Sequence, residues 1–80
     1  MLVVDSFKIK GIPCVIFYKE KCQVGDKLMC SKTGEVYTVI KTDQITTSMG
    51  RVLDDFAALL SGDKVPEQNS NLYLVGRDND

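Results

Sequence analysis

Five residues near the beginning of the chain have the chemistry of a nucleic-acid binding site: Lys8, Lys10, Tyr18, Lys19 and Lys21. The first two lysines share one face of a predicted strand, and the other two follow Tyr18 in a polar loop. Lysine ammonium groups bind a phosphate backbone, and an exposed aromatic ring stacks on an unpaired base. We therefore predict that these residues bind RNA or an acidic protein partner. Alternating lysines on a strand also serve solubility and edge protection, and this plainer interpretation stays open.

The three cysteines, Cys14, Cys22 and Cys30, are a second set of reactive side chains, spaced eight residues apart. A structural zinc site needs four ligands, usually supplied as close cysteine pairs, and here Asp26 would have to complete the set. Cysteine is also a common small apolar residue of protein cores. We favour core packing, keep a metal site as the weaker alternative, and predict no metal.

No catalytic residue is predicted. The chain contains no histidine, which removes the most common general base and the usual catalytic triads. Neither of the glycine-rich phosphate-binding motifs, G-x-x-x-x-G-K-[ST] and G-x-G-x-x-G, is present. We therefore predict a non-enzymatic protein without a nucleotide or other cofactor.

Length and composition predict a single globular domain over residues 1–80, with a frayed acidic tail over residues 76–80. The chain is 44% hydrophobic and 26% charged, close to ordinary globular values. No apolar run approaches the ~20 residues of a membrane span. The segment from Met1 to Asp5 lacks the features of a secretory signal, and an odd number of cysteines fits free thiols in a reducing compartment. We predict a cytoplasmic protein.

Charge is unevenly divided along the chain, although the formal net charge is only −1. Residues 1–41 contain seven lysines and four acids, whereas residues 42–80 contain three basic residues and seven acids. A nearly neutral protein does not bind nucleic acid through bulk charge, but one basic face is compatible with these numbers. The alternative function is a structural or self-association module, in which the oppositely charged halves pair within one chain or between copies.

Period-two alternation and β-branched residues predict a mainly β domain. Ser31–Gly34 is a tight polar turn, so its flanking strands form the hairpin predicted most firmly. Closure of the strands into a small barrel of five to six strands would remove the sheet edges. The predicted strands are Phe7–Lys10, Cys14–Tyr18, Lys27–Cys30, Glu35–Thr42 and Leu72–Val75.

One amphipathic helix is predicted between Met49 and Leu60. Apolar residues there recur at spacings of three and four, Thr47 or Ser48 suits an N-cap, and Gly62 suits the C-terminal end. The helix is expected to cover one opening of the barrel. The expected barrel interior comprises Ile9, Val15, Phe17, Leu28, Val39 and Leu74.

The order of these motifs resembles the second, β-barrel domain of elongation factor Tu and related translational GTPases. Phe7-Lys8-Ile9-Lys10-Gly11 resembles that family's F-x-I-x-G strand, and Gln23-Val24-Gly25-Asp26-Lys27-Leu28 resembles its K-V-G-[DE]-x-[VL] turn. Further along, Leu60-Ser61-Gly62-Asp63-Lys64-Val65 and Leu72-Tyr73-Leu74-Val75-Gly76 are similar to its A-G-[DE]-x-V and L-x-L-x-G segments.

The resemblance covers residues 7–76 and implies a translation-factor barrel standing alone, with RNA, a ribosomal element or a protein as its partner. The family's GTPase domain has no counterpart in this sequence. The glycines of the family's second strand are replaced here by Ile12-Pro13-Cys14-Val15-Ile16-Phe17-Tyr18. The family's contacts with the transfer-RNA acceptor end are therefore not carried over to particular residues.

Overall fold

The computed structural model describes residues 1–46, 49–50 and 52–77. Within this part of the chain there are six strands, all paired in antiparallel fashion, and no helix. The prediction of a mainly β domain is confirmed. The strands are β1 (Val3–Ile9), β2 (Ile12–Tyr18), β3 (Asp26–Cys30), β4 (Val36–Thr46), β5 (Val52–Leu60) and β6 (Leu72–Arg77).

The strands follow the order β1-β2-β5-β4-β3-β6 in one sheet. Strand β4 joins two halves of this sheet, because its first residues pair with β3 and its later residues pair with β5. The register shifts between Val39 and Lys41, where the pairing passes from one half to the other. Buried side chains from all six strands form one core cluster. The long central strand thus bends the sheet around a shared interior.

The helix predicted for Met49–Leu60 is wrong, because residues 52–60 form the central strand β5. Phe56, Ala58 and Leu60 are buried on one face, which is the period-two pattern of a strand. Because Leu59 and Leu60 are adjacent, they fit the three-to-four-residue spacing of a helix as well as the two-residue spacing of a strand. Pairing with β2 on one side and β4 on the other overrides the local helix preference. The proposed caps, Thr47 and Ser48, lie outside the described residues.

The prediction of a closed barrel is also wrong. The edge strands β1 and β6 meet only where they begin, through a single bridge between Leu2 and Asn71. Hydrogen bonds from the Val3 amide to the Ser70 carbonyl and from the Leu72 amide to the Met1 carbonyl, 2.9 and 2.8 Å long, extend this contact. Beyond this seam the described residues of the two strands do not pair with each other, so each strand has an unpaired edge.

The predicted interior is partly confirmed. Val15, Phe17, Leu28 and Val39 are buried, whereas Ile9 and Leu74 are 46% and 50% exposed. Leu74 lies on an edge strand. Ile9 points outward, because a register shift between Val3 and Asp5 changes which residues of β1 face the core.

The end of the chain departs slightly from the predicted tail. Strand β6 continues through Gly76 and Arg77, two residues beyond the predicted strand. The remaining tail residues, 78–80, lie outside the described part of the chain.

Candidate nucleic-acid interface

The five predicted binding residues fall into two groups at opposite ends of β2. Lys8 lies opposite Pro13, at the beginning of that strand. Lys10 and Gly11 form the hairpin turn, with φ angles of 50° and 82° that suit a two-residue type I′ turn. Tyr18 is five residues beyond Pro13, a separation of about 17 Å at the usual rise of a strand. A single compact site containing all five residues is therefore not formed.

Tyr18 and Lys19 are held together where β2 ends. Lys19 adopts a φ of 61°, and its amide donates a 2.8 Å hydrogen bond to the Asp54 carbonyl of β5. Its Nζ lies 5.3 Å from the centre of the Tyr18 ring, within cation–π range. The tyrosine side chain is 52% exposed. One face of an accessible aromatic ring is thus paired with a cation.

Lys21 lies in the walls of two neighbouring cavities. The first, of about 240 Å³, is also lined by Lys19 and Asp54. The second, of about 320 Å³, is also lined by Tyr73 and Arg77 of strand β6. We call the surface formed by these two cavities the Lys21 groove. It brings a loop after β2 and the last strand, which are distant in sequence, to one side of the molecule.

Asp26 fixes the loop that carries Lys21. This carboxylate is buried and accepts hydrogen bonds from the Gln23 amide, at 2.9 Å, and from Arg77 Nε, at 2.8 Å. The arginine uses Nε for this contact, is itself half-exposed and lines the second cavity. Both oxygens of Asp26 are engaged, so this residue is poorly placed to complete a metal site.

Sequence reasoning missed Tyr73 and Arg77 as site residues. The sequence predicts Tyr73 only as part of a strand and Arg77 as part of the tail. The Gly25-Asp26 turn signal marked the loop, but the pairing of Asp26 with Arg77 joins residues 51 positions apart. A local sequence pattern does not predict a contact between residues so far apart in the chain.

The cysteines are free and buried. Burial, followed by the charge of Asp26, raises the pKa of Cys22 from 9.0 to about 11. Burial and the charge of Asp5 likewise raise the pKa of Cys14. Burial also opposes ionisation of Cys30, but hydrogen bonds, mainly from the turn after β3, outweigh it and lower its pKa.

The described residues contain no group of three histidine, cysteine or acidic side chains placed to hold a metal ion. Cys22 and Cys30 belong to the core cluster, which agrees with the core-packing interpretation, whereas Cys14 is buried on the opposite face of the sheet.

Among the described residues, no helix has the length and apolar character needed to cross a membrane. Comparison with protein-family models, with curated proteins and with solved structures found no match to this chain. The likeness to the translation-factor barrel therefore stays a prediction.

Proposed function

We propose that this protein is a non-enzymatic module that binds single-stranded RNA along the Lys21 groove. The observation that carries the proposal is the position of Lys21 in both cavities. Lys19 lines one end of this surface and holds its ammonium over the adjacent Tyr18 ring, while Tyr73 and Arg77 line the other end. Single-stranded nucleic acids are bound by this combination, in which cations follow the backbone and aromatic rings stack on bases.

The charges of the groove support an anionic ligand. Lys19 and Lys21 have no ion-pair partner among the described residues, and Asp26, which pairs with Arg77, is removed from solvent. Asp54 lines one cavity and Glu20 lies in the same loop as the lysines, so the local excess of positive charge is small. Such a site fits moderate affinity with clear salt dependence rather than tight binding by bulk charge.

The resemblance to the second domain of translational GTPases supports the same function class. It implies RNA or a ribosomal element as the partner, although that family's transfer-RNA contacts are not carried over. Lys8 and Lys10, at the far end of β2, have no part in the proposed groove.

The proposal is tested by fluorescence anisotropy with a labelled oligouridine RNA at two salt concentrations. Three phosphate contacts predict a slope of about −2 in a plot of log affinity against log salt. Raising salt from about 50 to 200 mM should therefore weaken binding about 15-fold. Lys21→Ala should weaken binding severalfold and make the slope shallower by about 0.7. Tyr73→Ala should cost about 1–3 kcal/mol if its ring stacks on a base.

Lys8→Ala and Lys10→Ala are matched controls, because they remove the same charge from the opposite end of β2. They should leave the affinity unchanged within about twofold, since charges beyond a Debye length are screened. Equal losses from the control and groove variants would mean that binding is unspecific and would overturn the groove. Absence of RNA binding at low salt would favour the alternative, a structural or self-association module without a nucleic-acid role.

A further inference from the structure

One face of the sheet half β1-β2-β5-β4 is mostly apolar, and no element of the described part of the chain packs over it. We call this the outer face, because the opposite face of the same strands lines the core. Residues directly opposite on paired antiparallel strands share a face, so the register defines two rows that cross it. The first row is Phe7, Cys14, Leu59 and Lys41, and the second is Asp5, Ile16, Ala57 and Asp43.

Beyond its register shift, strand β1 turns its apolar residues toward this face. Phe7 and Ile9 are 41% and 46% exposed, while Ser6 and Lys8 have the parity that faces the core. A shallow cavity of about 260 Å³ on the outer face includes Ile9, Cys14 and Leu59 in its lining. A β-strand that alternates apolar and charged residues normally directs the apolar ones to a buried surface. The apolar residues of β1 are thus arranged as in a strand whose outer face is buried.

The charges at the edge of the outer face are arranged for self-complementarity. Lys41 and Asp43 are exposed, lie two residues apart on β4, and have no ion-pair partner among the described residues. Two copies can pack face to face about a two-fold axis that lies between the sheets and runs perpendicular to the strands. The first row of one copy then lies over the second row of the other. Lys41 of each copy then lies over Asp43 of the other. An axis parallel to the strands would instead bring Asp5 over Asp43, with like charges together.

We propose that the outer face is covered by the same face of a second copy of this chain, in the first of these two arrangements. Two sheets that pack in this way lie about 10 Å apart, a gap that a lysine and an aspartate side chain span together. Cys14 and Ile16 then lie near the centre of the contact. Both reciprocal ion pairs lie along β4 at one side of it, and Asp5 of each copy lies over Phe7 of the other at the opposite side. None of the residues in the two rows lines the Lys21 groove, so the inference does not depend on RNA binding.

The size of the face predicts a weak dimer. Four strands about 4.8 Å apart, with few residues on each, span roughly 15 by 17 Å. That is small beside the ~800 Å² per partner of a standard interface. We therefore expect a dissociation constant of about 100 µM, in the range of weak and transient associations.

Sedimentation velocity at protein concentrations from about 10 µM to 1 mM tests the proposal. The wild-type chain should change from monomer to dimer across this range. Lys41→Asp should raise the dissociation constant about tenfold, since each dimer then contains two repulsive pairs in place of two attractive ones. Combining Lys41→Asp with Asp43→Lys in the same chain should restore it to within about threefold, because opposite charges face each other again.

An apolar variant supplies an independent arm. Ile16→Lys should abolish the dimer, whereas Val24→Lys, the same change at an exposed residue outside the face, should leave it intact. Circular dichroism melts identify any variant that fails to fold, in which case the charge exchange decides the question. A wild-type chain that stays monomeric to 1 mM would overturn the proposal. A dimer whose dissociation constant is unchanged by both Ile16→Lys and the charge changes would also overturn it. That result would indicate pairing through the free edges of β1 or β6.

Discussion

The two faces of strand β2 differ in how they are used. Val15 and Phe17 point inward and are fully buried, while Ile16 points outward and is only half-buried, on a sheet face with no covering element in the described part of the chain. Cys14 lies on the same outer face, but its small side chain is only 3% exposed. Both faces are equally apolar in sequence. Apolar character in the sequence therefore predicts which side chains would gain free energy from burial, whereas the fold of one chain determines which of them are buried.

The largest expected effect is on the inner face. Phe56 lies opposite Phe17 in the core, so Phe56→Ala should remove about 3–5 kcal/mol from a domain whose total stability is near ~5 kcal/mol. Asp55→Ala, one residue away on the other face, should change stability by less than about 0.5 kcal/mol. Thermal melts of both variants measure the contrast. Equal stability of the two would mean that the inner face of β5 does not hold the fold together.

A somewhat smaller effect is expected at the charged residue of the inner face. Asp26 shares the buried face of β3 with Leu28 and Cys30. Asp26→Ala removes two hydrogen bonds to a carboxylate, and we expect a loss of about 1.5–3 kcal/mol, reduced because Arg77 is half-exposed. Urea denaturation gives the value. Arg77→Ala should cost less, because it leaves the Gln23 contact intact, and the reverse order would contradict this assignment.

The two faces should also differ in their response to alkaline pH. The core residue Cys22 has a pKa raised to about 11, so the unfolded state loses its thiol proton first. Stability is therefore full below pH 9.0 and falls as the pH rises toward about 11. Cys22→Ala should flatten this loss more than Cys14→Ala, whose thiol lies on the outer face. Urea denaturation at pH 8, 9 and 10 measures the loss of stability in each variant. Equal flattening by Cys22→Ala and Cys14→Ala would contradict this prediction.

The smallest effect is expected on the outer face itself. Ile9→Thr exchanges one half-exposed apolar residue for a polar one of good β propensity, and should change the stability of the monomer by less than about 0.5 kcal/mol. Denaturation of a dilute sample, in which any dimer has dissociated, gives this value. A loss above about 2 kcal/mol would show that Ile9 packs into the core of its own chain.

Local patterns predicted most strands but not the phase of their side chains. Alternation located five of the six strands, and the Cys30–Glu35 turn is confirmed by a 2.8 Å hydrogen bond from the Cys30 amide to the Glu35 carbonyl. The sixth, β5, has a pattern that predicts a helix, because Leu59 and Leu60 fit both periods. The extra residue Val4 reversed the expected orientation of Ile9, since bulges depend on pairing that a single strand does not encode.

The residues of the candidate site also differ in whether local sequence can predict their positions. Tyr18, Lys19 and Lys21 are close in sequence, so their proximity could be predicted. The separation of Lys8 and Lys10 from them follows from the direction of β2, and the contribution of Tyr73 and Arg77 follows from the strand order. These are properties of the whole sheet, which short motifs do not determine.

The seam between the beginnings of β1 and β6 has a kinetic consequence. It joins Met1 to Leu72 across 71 positions, so its closure carries the largest loop entropy of the fold and should come late in folding. The same contact should open first in the native state, and the amides of Val3 and Leu72 should exchange with solvent sooner than those of β5. Because Met1 and Leu72 also line the Lys21 groove, an RNA bound there should slow this exchange. Ligand binding and the last step of folding would then be coupled through one pair of strand ends.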